Sequence, residues 1–376
     1  MKYIKRNHES GIVDTLKEGK IAVLYGPRQV GKTTLAKNIA TNIDPDYKYL
    51  NCDEPDIALS LSNKTSTELA HVVGSSNMVV IDEAQRVENI GITLKLLADN
   101  FKDIKVLATG SSSFELADSI NEPLTGRAYY FTIWPMCVSE LPGDNLEKTR
   151  LLKQLLIYGQ YPEIALNTAT NKDRYLANLT NNYLYRDLLS IGAIRSESTL
   201  VSLLKLLALQ IGSTVSFNEL ANSLGLDVST VRRLIDLLEK AYVIHSLMPL
   251  TGNSRGSIRK QRKIYFVDLG VRNALLGRLM PLEVRDDVGA LWENFCINEL
   301  RKSNLLLSMP ANEYFWRNYI GAEVDYVQIQ NDMTRVYEFK WSSKRRVKIP
   351  KAFVDSFGSP EFTVINQKNA VELLNQ

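Results

Sequence analysis

Residues 21–33 read IAVLYGPRQVGKT, an apolar run followed by a turn with two glycines that ends in Lys32 and Thr33. The run has the length and the lack of alternation expected of a strand buried on both faces. The next eight residues, Gly26-Pro27-Arg28-Gln29-Val30-Gly31-Lys32-Thr33, fit the pattern GxxxxGK[ST]. Glycines let the backbone curl so that its N–H groups converge on an anion. A helix expected over Lys32 to Ala40 adds its positive end. Lys32 can reach the outer phosphates of ATP, and the Thr33 hydroxyl is a ligand for Mg²⁺. The expected nucleotide cradle is Gly26, Pro27, Arg28, Gln29, Val30, Gly31, Lys32, Thr33 and Thr34.

Two further apolar runs follow, MVVIDE (78–83) and IKVLATG (104–110), with helical spacing between them over Ile92 to Asn100. Strands alternating with helices predict a parallel sheet of the α/β class. Asp82, at the end of its strand, is the expected second support for Mg²⁺. Glu83 is the expected general base for the attacking water. Thr109 and Ser111, at the tip of the third run, are candidates to sense the γ-phosphate. Arg127, in LTGRAYYF (124–131), is a candidate to stabilise charge in the transition state, either in cis or from a neighbouring subunit.

Composition excludes several classes. Hydrophobic residues are 45% and charged residues 23% of 376, the balance of a globular chain, and a net charge of +3 is too small to imply nucleic acid by itself. The three cysteines, Cys52, Cys137 and Cys296, form no CxxC pair, so no zinc site or disulfide framework is expected and a cytoplasmic location is the simplest. The first twenty residues lack the apolar core of a signal peptide, and no apolar stretch is long enough to span a bilayer.

After Trp134-Pro135 the pattern turns helical, with Leu-rich spacing from about 148 to 211. Residues 216–244, SFNELANSLGLDVSTVRRLIDLLEKAYVI, read as helix, Gly225 turn, helix. Strand-like runs at about 242–248 and 263–267 would complete a winged helix around the basic loop RGSIRKQRK (255–263). DNA contact is expected from Arg232, Arg233, Arg255, Arg259, Lys260, Arg262 and Lys263, and from Lys344, Arg345 and Arg346 further on. A second constellation lies near the end: Glu293 on a helical stretch, Asp325 in GAEVDYVQI, and Glu338 and Lys340 in VYEFKWS. Residues two apart on a strand share a face, so Asp325, Glu338 and Lys340 can converge, two carboxylates for a divalent metal and a lysine for water or phosphate. This is the D…ExK arrangement of the restriction-endonuclease-like fold, with Glu293 as an added helical acid.

The motifs GPRQVGKTTL, VVIDEAQ, ATGSSSFEL, LTGRAYYFTIWP, YFVDLGVRNALLG, WENFCINEL and GAEVDYV…YEFK together give a resemblance covering nearly the whole chain. The sequence resembles the bacterial and archaeal AAA+-superfamily ATPases that join an N-terminal ATPase to a C-terminal domain of unknown function. The resemblance implies that this last part is related to the PD-(D/E)xK nucleases. The expected layout is an AAA+-like P-loop ATPase domain at 1–140, a helical region at 141–211, a winged helix-turn-helix at 212–275 and a restriction-endonuclease-like α+β domain at 276–376. The expected function is Mg²⁺-dependent ATP hydrolysis coupled to DNA in a homo-oligomer, a ring-forming motor among the forms considered. A nucleotide switch that acts through protein partners, with an inactive nuclease-like domain, is one alternative. An ATP-regulated endonuclease is the other.

Overall fold

A computed structural model describes residues 3–110, 124–180, 196–251, 262–331, 333–343 and 347–375. It divides into two compact units. The first contains residues 1–135 with 240–242, and the second residues 136–239 with 243–376. The helical region, the helix pair and the C-terminal segment, expected as separate domains, thus lie within one unit.

The first unit is built on a five-stranded parallel sheet. Its strands are β1 (Ile21–Tyr25), β2 (Lys48–Asn51), β3 (Met78–Asp82), β4 (Lys105–Thr109) and β5 (Ala128–Thr132), in the order β2-β3-β4-β1-β5. Every residue of β1 and β3 is buried, as the unbroken apolar runs require of strands covered on both faces. All four pairings are parallel, so β1, β3 and β4 deliver the residues that follow them to one edge of the sheet. β4 lies between β1 and β3, with Leu24 opposite Thr109 and Ile81 opposite Ala108. The loop after β1 therefore faces Asp82 across the tip of β4.

The second unit carries a seven-stranded mixed sheet. Strands β6 (Thr214–Val215), β7 (Ile244–Pro249), β8 (Arg262–Phe266), β9 (Asn312–Arg317), β10 (Glu323–Gln330), β11 (Met333–Phe339) and β12 (Glu361–Ile365) run in the order β12-β11-β10-β9-β7-β8-β6. Helices Glu197–Leu209, Phe217–Leu224 and Val228–Lys240 surround β6 in sequence. Gly225 has φ +64° and closes Phe217–Leu224 in the left-handed conformation expected of the turn. β7 and β6 flank β8 in antiparallel fashion, and β7 also pairs in parallel with β9.

Helix Val288–Asn304 packs on this sheet through Leu291, Trp292, Phe295 and Ile297, all buried. Its buried asparagines finish strand β8. Asn294 accepts from the Phe266 N–H (3.0 Å) and donates to the Phe266 carbonyl (2.9 Å), and Asn298 donates to the carbonyls of Phe266 and Val267. Each removes a buried orphan polar group that would otherwise cost about 1–3 kcal/mol. The three cysteines are free thiols. Among the described residues, no helix is long and apolar enough to cross a membrane.

Candidate functional site

The loop after β1 is shaped by backbone conformations that few side chains adopt. Gly26 has φ +137°, Gln29 +62° and Gly31 +91°. A Cβ on Gly26 would lie 2.0 Å from the Ile133 carbonyl oxygen, so the first glycine is required by contact as well as by torsion. Gly31 caps helix Lys32–Ile43 in the left-handed conformation, which turns the first N–H groups of the helix into the loop. Arg6 braces the arrangement from behind: its guanidinium donates to the carbonyls of Val30 and Trp134, both at 2.7 Å. Arg6 carries no motif, and no pattern in the sequence marks it.

Within this loop the Lys32 ammonium donates to the carbonyls of Gly26 (2.8 Å) and Pro27 (2.7 Å), and the side chain is only 5% exposed. Val30 is fully buried and offers the loop its backbone, whereas Gln29 and Thr34 are exposed. The Thr33 hydroxyl donates to the Asp82 carboxylate, with both oxygens at 3.0 Å. Proton donation leaves its oxygen lone pairs for a cation, so Thr33 and Asp82 fit a hydrated Mg²⁺ between them. Glu83 follows at φ +53° with its carboxylate accepting from Gln85 Nε2.

Thr109 is fully buried. Its hydroxyl donates to Asp82 and accepts from the Glu83 N–H at 3.2 Å. It therefore holds the acidic pair in place. Ser111 lies outside the described residues.

Arg127 is a correction for any role in cis. It precedes β5, whose Ala128 pairs with Ile21 at the start of β1. Five residues at about 3.3 Å each put it roughly 15 Å from the loop, at the opposite edge of the sheet. There it makes a bidentate ion pair with Asp99, at 2.7 and 3.0 Å. That pairing draws the Asp99 carboxyl below its ordinary range, chiefly through the hydrogen bond.

The second unit brings the C-terminal candidates together. Lys340 donates to Glu338 (2.8 Å) and Asp325 (3.3 Å), and Asp325 also accepts from the Phe339 N–H at 2.9 Å. Burial, and then the nearby Asp325 charge, push the Glu338 carboxyl up to about 7, with Lys340 pulling the other way. Glu293 accepts from Lys263 (2.9 Å) and from the Tyr265 hydroxyl (2.6 Å), and Lys263 also pairs with Glu323. Burial raises the Glu293 carboxyl, Lys263 opposes that, and the Asp325 charge adds to it. Among the described residues, no three His, Cys, Asp or Glu side chains are grouped to hold a metal ion. A divalent-metal reading here rests on Asp325 and Glu338 alone, and Lys340 contacts both.

Lys263 is the second correction. It is 1% exposed and sealed among carboxylates, so it is not available to a DNA phosphate. Arg262 points to the other side of β8, 5.0 Å over the Phe217 ring and 3.8 Å from Glu239. Arg232 shares that ring at 5.4 Å, and Arg232 and Arg233 are exposed on helix Val228–Lys240. Arg255, Arg259, Lys260, Lys344, Arg345 and Arg346 lie outside the described residues.

Residues 18–142 match the family model described as the AAA domain. That match spans the parallel sheet and the loop described above. Residues 149–281 and 288–375 match two families described as domains of unknown function, DUF8612 and DUF4143. An uncharacterized protein of Mycobacterium tuberculosis is 28% identical over 340 residues, which cover 89% of this chain and 73% of that protein. An uncharacterized protein of Methanocaldococcus jannaschii is 26% identical over 319 residues, 73% of this chain and 66% of that one. A RuvB mutant of Thermotoga maritima aligns with 65% of this chain and 90% of its own at 17% identity, with a TM-score of 0.32.

Proposed function

We propose that this chain is a Mg²⁺-dependent ATPase whose turnover is coupled to DNA. The observation that carries the reading is the meeting of Lys32, Thr33, Asp82 and Glu83 at one sheet edge, with Thr33 bonded to Asp82. Lys32 binds the outer phosphates in place of its present loop carbonyls. Thr33 and Asp82 hold Mg²⁺, which when bound neutralises phosphate charge as a Lewis acid. Glu83 orients water and takes its proton, with Gln85 and Thr109 holding the acid and its backbone in place. Glu83→Gln should keep ATP affinity and cut hydrolysis by ~10²-fold or more. Wild-type turnover in that variant, measured as phosphate release, would remove Glu83 from the role.

For the DNA arm, the order helix, strand, helix, helix, strand, strand over 197–266 supports a winged helix-turn-helix, with Arg232 and Arg233 as its exposed basic pair. DNA affinity should fall with salt in wild type and lose part of that slope in an Arg232→Ala, Arg233→Ala variant. The coupling itself is tested by ATP turnover with and without branched duplex, and a nucleotide-dependent sizing experiment tests the homo-oligomer. A second reading, a nucleotide switch with an inactive nuclease-like domain, is favoured by one observation: Lys340 is bonded to both carboxylates that a nuclease metal would need. Metal-dependent nicking that survives Lys32→Ala but not Lys340→Ala would decide for an endonuclease instead.

A further inference from the structure

Three hydroxyls converge on the Asp82 carboxylate, which is 4% exposed. Thr33 touches both oxygens, Thr109 donates to Oδ1, and the Tyr49 hydroxyl donates to Oδ2 at 2.5 Å. Thr33 and Thr109 belong to segments already read as functional. Tyr49 belongs to none. It lies on β2, opposite Val80 of β3, so its side chain reaches forward along the neighbouring strand to the acid. A phenol is protonated at neutral pH and a carboxylate can only accept, so Tyr49 is the donor in this bond.

The ring of Tyr49 has a second engagement. The Lys37 ammonium stands over it, 3.9 Å from the centroid. Lys37 follows Thr33 by four residues on helix Lys32–Ile43, so the two side chains share one helix face. That face reaches Asp82 twice, directly through Thr33 and through the ring and hydroxyl of Tyr49. The cation and the phenol hold each other by a cation–π contact, which fixes the ring plane from which the hydroxyl projects.

We propose that Tyr49 is a positioning residue for the metal carboxylate, set in place by Lys37: its hydroxyl aims Asp82 at the ion shared with Thr33. The inference rests on the Mg²⁺–ATP reading above. The physical ground is that a ligating carboxylate depends on its own hydrogen bonds for orientation, and removing such a partner typically costs 10–100-fold in metal affinity.

The test uses the full chain and a fluorescent ATP analogue, with binding followed as Mg²⁺ is titrated, and Mn²⁺ binding read independently by its spin resonance. Tyr49→Phe keeps the ring and the cation–π contact and removes only the hydroxyl. The expected result is a Mg²⁺ midpoint raised about tenfold and a matching loss in Mn²⁺ affinity. Nucleotide affinity without metal should stay within about twofold of wild type, since no phosphate contact is touched. Lys37→Leu should shift the midpoint the same way by less. A Tyr49→Phe midpoint equal to wild type, with Tyr49→Ala impaired, would make Tyr49 a packing residue and overturn the inference while leaving the Mg²⁺–ATP reading intact. Wild-type nucleotide binding that ignores Mg²⁺ would overturn that reading and the inference together.

Discussion

Replacing Gly26 by alanine separates two costs that a phosphate-binding loop imposes on its first residue. The torsion comes first: at φ +137° an L residue is strained by about 1–3 kcal/mol. The contact is more severe. The new Cβ would stand 2.0 Å from the Ile133 oxygen and 3.0 Å from its carbonyl carbon, so something must move by about 1 Å. Neither side moves freely. Ile133 is tied to β1 through its N–H to the Tyr25 carbonyl at 2.7 Å, and the loop is tied through Arg6 to Val30 and Trp134. Breaking one such buried hydrogen bond adds about 1–3 kcal/mol. The sum is about 2–6 kcal/mol, or a loop displaced enough to lose ATP.

Gly19→Ala is the control. It also has positive φ, +72°, but nothing lies within 4 Å of its added Cβ, so only the torsional cost of about 1–2 kcal/mol applies. Urea unfolding followed with nucleotide titration of both variants measures the difference. Gly26→Ala with the stability of Gly19→Ala and wild-type ATP affinity would refute the close approach to Ile133.

Three further outcomes follow from the same geometry. Arg127→Ala should leave ATP binding by the isolated chain unchanged and let the Asp99 carboxyl return toward its ordinary range, both measurable by nucleotide titration and NMR; lost binding would bring Arg127 back to the site in cis. Lys263→Met should destabilise by about 3–5 kcal/mol, because Glu293 would be left buried without its cation, and adding Glu293→Gln should restore part of the loss in the same denaturant assay. Glu338 is protonated more readily folded than unfolded, so its contribution is complete below about pH 4.5 and is lost as pH rises through about 7; the stability–pH curve of Glu338→Gln should flatten across that window.

The nucleotide site was legible because its chemistry is local. A short run fixes loop, helix start and lysine together, and the apolar runs before Asp82 and Thr109 announce strands that must share an edge once the sheet is parallel. Sequence leaves Arg127 open between a role in cis and one from a neighbouring subunit, because its position depends on which end of β5 it occupies. A residue just before a parallel strand emerges at the edge away from the loop. A basic run in sequence reads as one surface, but the pleat sends Arg262 and Lys263 to opposite faces and buries Lys263 among carboxylates. In the C-terminal cluster, spacing announced Asp325, Glu338 and Lys340 as neighbours. It said nothing of Tyr265 and Glu323, which strand pairing supplies. Tyr49 and Arg6 act through long-range hydrogen bonds, and no periodicity marks such a residue.

The parallel pairing of β7 with β9 bears on how this protein can be dissected. Met248 lies opposite Tyr314, Pro249 opposite Phe315, and the Leu250 N–H donates to the Phe315 carbonyl at 2.6 Å. Leu250 also packs against the apolar cluster of Trp316, Val324, Val327, Val336 and Phe353. A cut between residues 281 and 288, where one family match stops and the next begins, would run through a continuous ladder and leave each fragment with a raw strand edge. Such fragments should self-associate or misfold when expressed alone. Inheritance of the two segments is then coupled mechanically: either can change its surface freely, but neither can be exchanged for a foreign module without rebuilding the seam.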